Sequence, residues 1–130
     1  MTKQMSSKER RDVRDAGLDA GIMSLIRLEQ LFADAEYGEQ YENRAEGCIV
    51  IQSEVREAEA ELKEINANLS ELFDNVRHGK PSAIKSSTNR LYIYAERLAT
   101  EAIHIAAAAR KAYLGEEIRD DAQTADSAGN

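Results

Sequence analysis

Glu101-Ala-Ile-His104 is a stretch whose residue types and spacing could hold a metal ion. Three residues apart on a helix, a carboxylate and an imidazole share one face, the spacing by which helical bundles ligate paired metals. Such a site needs a second Glu-x-x-His and two more inward glutamates. The other histidine, His78, has Asn75 three residues before it. The heptad phase of its helix assigns His104 to an outward c position. The sequence therefore predicts no metal site and no cofactor.

A second acidic constellation is Glu54-x-x-Glu57 followed by Glu71-x-x-Asp74. Its spacing superficially resembles the acidic motifs of all-helical nucleotide pyrophosphohydrolases, which hold magnesium between helices. Here both pairs fall on one unbroken helix, about 25 Å apart at helical rise, too far to share an ion. A phosphotransfer role for His104 lacks the lysine and glycine that such modules place next, since Ile105 and three alanines follow. No Ser-His-Asp or Cys-His grouping and no glycine-rich phosphate loop can be argued. The chain reads as a non-enzyme.

The elements that carry these residues are long helices. Cys48, Val55, Leu62, Leu69 and Val76 form the a line of a heptad seam, with Ile51, Ala58, Ile65 and Leu72 on d. Cys48 on this seam reads as a small buried hydrophobe. Ile84, Thr88, Leu91, Ala95, Leu98, Ala102, Ile105, Ala109 and Ala112 repeat the pattern. Ser6 with Glu9, and Asn43 with Glu46, are capping pairs that start helices at Ser7 and Arg44, with a start nearer Glu39 the alternative for the second. Gly38 ends the first helix after Tyr37, and Arg77-His78-Gly79 with Pro81 ends the second. The third is expected to stop at Leu114-Gly115. Gly17 and Gly21 each cost about 1 kcal/mol in a helix, so either a close neighbouring helix is expected there, or a kink or later helix start.

With 130 residues, 32% charged, one proline and no tryptophan, the expected fold is all-α. Short connections make neighbours antiparallel, giving an up-down-up three-helix bundle of long coiled-coil-like helices over residues 7–114. Residues 1–6 are read as a flexible start and 115–130 as a disordered acidic tail. Folding about Gly79 to Pro81 sets Leu69 opposite Leu91, Leu62 opposite Leu98 and Val55 opposite Ile105.

The surface points to partners. Ile22, Met23 and Ile26, with Ile49 and Val50, fall where water should be, at neighbouring heights, and are assigned to self-association in a homodimer. Arg90, Arg97, His104 and Lys111 recur every seven residues, opposed by a Glu57, Glu64, Glu71 ridge on the second helix. Arg90, Tyr94, Arg97 and Lys111 are assigned to a heterologous protein partner. A net charge of −7 disfavours nucleic acid as a bulk partner. The lone cysteine excludes an internal disulfide, and no signal peptide or membrane-length apolar run is present, so a cytoplasmic protein is expected.

The function expected is a non-enzymatic protein–protein interaction module. By fold analogy it would be an adaptor, chaperone or phage-encoded inhibitor of the regulator kind. The alternative is a nucleic-acid accessory factor using Arg10, Arg11, Arg14 and the third-helix ridge. A metal-dependent hydrolase of helical-bundle type is the remote third.

Overall fold

Capping chemistry divides the chain. The Ser6 hydroxyl accepts the Glu9 N–H at 3.1 Å while the Glu9 carboxylate accepts the Ser6 N–H at 2.7 Å, so both arms of the capping box form. Asn43 Oδ1 accepts the Glu46 N–H at 2.9 Å, and the Glu46 carboxylate reaches back to the Glu42 N–H. Gly79, at φ 60°, donates to Val76 O while Lys80 donates to Asn75 O, the paired bonds of a Schellman motif. Pro81 then opens the next helix, where its missing N–H costs nothing. The computed structural model describes residues 4–128 as α1 (Ser7–Tyr37), α2 (Arg44–Arg77) and α3 (Pro81–Ala128). The fold is the expected all-α three-helix bundle.

The end of α3 differs from expectation. The helix runs through Gly115 to Ala128, so the stretch read as a disordered tail is helical over 115–128. Arg44 grips Glu116 with two bonds of 2.7 and 2.8 Å, and Arg119 adds a third at 2.7 Å. These charge-assisted bonds tie the helix beyond the glycine to the start of α2. Residues 1–3 and 129–130, the outer parts of the expected flexible start and tail, lie outside the described residues.

α2 and α3 form an antiparallel hairpin, held by Arg44–Glu116 at one end and Asn75–Ser87, 2.9 Å, near the turn. Its seam is shifted from the expected one. Ile51, Ala58, Ile65 and Leu72 do face α3, but the second inward line is Gly47, Glu54, Glu61, Asn68 and Asn75. Most of the expected line turns outward: Leu62, Leu69 and Val76 are 46%, 41% and 57% exposed and Cys48 is exposed rather than buried, while Val55 stays half-buried. On α3 the inward line is Ser87, Tyr94, Glu101 and Ala108, not Thr88, Ala95, Ala102 and Ala109. The reason is polar pairing. Asn75 meets Ser87 and Asn68 meets Arg90, hydrogen bonds that rotation to the aliphatic line would forfeit.

α1 runs parallel to α3 and packs against α3 alone. Its contact is confined to one end, where Gln30 is buried and Ile26, Glu29, Ala33 and Asp34 are half-buried. Residues 7–25 are exposed throughout. A Cβ added at Gly17 or Gly21 meets nothing within 4 Å, so the close neighbour expected there is absent from the chain itself. Among the described residues the only fully buried apolar side chains are Ala107 and Ala108. The chain exposes 10089 Å², against about 6,900 Å² for a compact monomer of its 14.5 kDa.

Candidate functional site

The residues singled out for chemistry converge where α1 meets the hairpin. His104 does not face outward; it is half-buried among carboxylates from all three helices. Its Nδ1 lies 3.4 Å from Glu101 and 3.6 Å from Glu54, and its Nε2 lies 3.8 Å from Glu29. The heptad shift causes this: bringing Glu54 and Glu101 into the seam swings His104 toward α1.

The electrostatics are unbalanced. The buried Oε2 atoms of Glu54 and Glu101 have no hydrogen-bond partner. Burial pushes both carboxyls above the ordinary carboxylate value, and the neighbouring Glu57 pushes them further, with His104 opposing. One donor atom each from Glu54, Glu101 and His104 lies within 4.8 Å of the others, so these are the residues that could hold a metal. Without one, the cluster is a proton-sharing contact whose energy depends on how many carboxyls are ionised.

The assigned partner-binding residues are mostly engaged inside the chain. Lys111 is 6% exposed; its Nζ donates to Gly38 O at 2.7 Å and sits 4.6 Å over the Tyr41 ring. With Arg110, which bonds Gln30, it clamps the end of α1 to α3. Arg90 donates to Asn68, Ser86 and Glu71 at 2.7 to 2.8 Å, so the two opposite-charge ridges partly bind each other. Tyr94 is half-buried in the seam with the Arg97 guanidinium 5.3 Å over its ring. Arg97 alone of the four is exposed.

The self-association residues are not brought together. Ile49 and Val50 line a cleft of about 460 Å³ with Gln30, Ala33, Tyr37 and His104. Ile22 and Met23 stand exposed farther along α1, and Ile26 is half-buried. Sequence reasoning paired Glu101 with His104 but missed Glu29 and Glu54 as its further neighbours. It also missed the outward Leu62, Leu69 and Phe73. The seven-residue spacing of Glu54, Glu61, Asn68 and Asn75 was the available signal, a polar line as regular as the aliphatic one beside it.

No protein family matches the chain, and no curated protein or solved structure shows a significant likeness to it. No helix among the described residues is long and apolar enough to cross a membrane.

Proposed function

We propose that this chain is a cytoplasmic, non-enzymatic interaction module that acts by binding another protein, with a second copy of itself in the working form. The observation that carries the reading is the imbalance of its surface. Among the described residues two alanines are the buried apolar side chains, while Leu18, Ile22, Leu25, Leu28 and Phe32 on α1 are 47% to 65% exposed. A monomer that leaves this much apolar area in water gives up the main source of folding energy. A partner that covers the α1 arm restores it. The nucleic-acid alternative loses Arg90 and Lys111 of the basic ridge, which are tied up within the chain, and keeps the exposed Arg10, Arg11, Arg14 and Arg97.

The test is capture of partners by tagged protein from its source cells after nuclease treatment, repeated with Leu18→Glu and Ile22→Glu together. Both positions are exposed, so the helix content of the variant should match wild type. Stoichiometric capture of one protein, lost in the variant, is the expected result. Capture of nothing, or capture indifferent to the substitutions, rejects the reading.

Metal-dependent hydrolysis is the second reading, favoured by the convergence of Glu54, Glu101 and His104. It requires that manganese or magnesium raise the melting temperature and that Glu101→Gln abolish the rise. Indifference to both ions and to chelator removes it.

A further inference from the structure

We infer that the outward apolar flank of the α2–α3 hairpin is the contact surface of a homodimer, α2 of each copy lying over α3 of the other. The inference deepens the interaction-module reading by naming one partner and one face.

The flank is built by the seam shift. On α2, Val55, Leu62, Leu69 and Val76 follow the inward line by one position; on α3, Ala95, Ala102 and Ala109 do the same. Both helices are right-handed and they run in opposite directions. Lines displaced in the same sense therefore emerge on the same side of the hairpin. α1 sits on the other side, against His104 and Lys111, and leaves this one open. None of these seven flank residues is charged. A one-sided stripe of this kind, at heptad spacing, is the seam of a bundle that lacks its other half.

Size and shape identify the missing half as a second copy. The chain exposes about 3,200 Å² more than a compact monomer of its mass. Part of that excess lies on the α1 arm, exposed over residues 7–25. The flank's share includes Leu62, Leu69 and Val76, 41% to 57% exposed on a face two helices wide, and interfaces of standard size bury about 800 Å² per partner. The flank is also self-complementary. Its α2 half is large and its α3 half is alanine. The Arg44–Glu116 and Asn75–Ser87 contacts set the register, in which Leu62 lies level with Ala95 to Ala99 and Val55 with Ala102 to Ala106. A two-fold axis parallel to the helices lays Val55 and Leu62 on alanines of the second copy at the same height, with Leu69 and Val76 toward the Thr88 end of its α3. A two-fold across the helices would set leucine on leucine and leave a trough between the alanines. The first arrangement fills space, and interfaces pack as densely as cores.

Light scattering and sedimentation equilibrium of the full chain at micromolar concentration test this. The expected mass is twice 14.5 kDa. Leu62→Glu with Leu69→Glu should weaken the dimer at least ~100-fold by burying charge in an apolar contact, whereas Ile22→Glu with Met23→Glu on α1 should not change it. A second variant covers loss of folding: Ala109→Cys places a thiol level with Cys48 of the second copy. Mild oxidation should then yield covalently linked dimers, where wild type gives none. A monomeric wild-type chain, a dimer that survives the double flank substitution, dissociation by the α1 pair, or absence of linked dimers would each overturn the inference. Outcomes here separate from the partner reading, because the α1 substitutions lose the captured protein and keep the dimer.

Discussion

Lys111→Ala tests how α1 is attached. The Lys111 ammonium donates to Gly38 O at 2.7 Å, lies 4.6 Å over the Tyr41 ring and is 3.9 Å from Asp34. A hydrogen bond from a charged donor contributes about 1.5–3 kcal/mol. A partly desolvated cation–π contact adds about 0.5–2 kcal/mol. Removing the ammonium also removes its own desolvation cost, which offsets part of the sum, so a net loss of about 2–3 kcal/mol is expected. The loss should be local. The Arg44–Glu116 and Arg90–Glu71 bonds that hold the hairpin do not involve Lys111. What opens is the junction of α1 with α3, and 2–3 kcal/mol corresponds to a rise of roughly 30- to 150-fold in the open fraction. Hydrogen exchange read by mass spectrometry on peptides from 26–43 should speed up by that factor while peptides from α2 stay at the wild-type rate. Lys111→Met, which keeps the stem and loses the charge, should give most of the effect. Unchanged exchange in 26–43, or equal acceleration in α2, would show that the ammonium does not act as a clamp.

Three further outcomes follow from the same geometry. Gly115 lies inside α3 without a positive φ, and a Cβ there meets only Arg119 Nη1 at 3.9 Å, so Gly115→Ala should add about 0.5–1 kcal/mol in urea unfolding; destabilisation would mean that the helix stops there. The Glu54 and Glu101 carboxyls are raised, so the folded chain holds protons that the unfolded chain has released, and their contribution to stability falls as pH climbs through and above the ordinary 4.5. Glu101→Gln should therefore raise the urea midpoint at neutral pH and flatten its decline between acid and neutral conditions; a lower midpoint would show the carboxylate to be a favourable partner of His104. Glu116 has the opposite sign: Arg44 holds its pKa down at about 2, so its stabilisation is present above 4.5 and is lost as pH falls toward 2. Carboxyl titration by NMR should find the low value in wild type and a higher one in Arg44→Ala, where Arg119 still holds the carboxyl below the ordinary range.

Much of the fold was legible in the sequence because end signals are local. Ser6 with Glu9, Asn43 with Glu46, and Gly79 with Pro81 act within one turn of chain, and α1 and α2 begin and end where those residues say. Gly115 misled because a glycine resembles a stop unless something holds the helix beyond it. That something, Arg44, lies 72 residues away. The chemistry was half legible. Glu101-x-x-His104 was visible as a pair, but whether it faced water depended on which α2 line faced α3.

That choice of line carries the most consequence. The apolar stripe of α2 is two lines wide, one through Ile51 to Leu72 and one through Val55 to Val76, with a polar line of the same period on its other side. A helix can turn only two adjacent lines toward one neighbour. The width of a stripe therefore counts the helices needed to cover it, without saying which edge each one takes. α3 covers the Ile51–Leu72 line together with the polar line, where Asn68 and Asn75 find partners. The Val55–Val76 line is then left for a neighbour that this chain does not supply, since α1 sits on the polar side. A seam built with aliphatic residues to spare and a core with almost none are two consequences of one arrangement. Both are accounted for when two hairpins, rather than one, make the bundle.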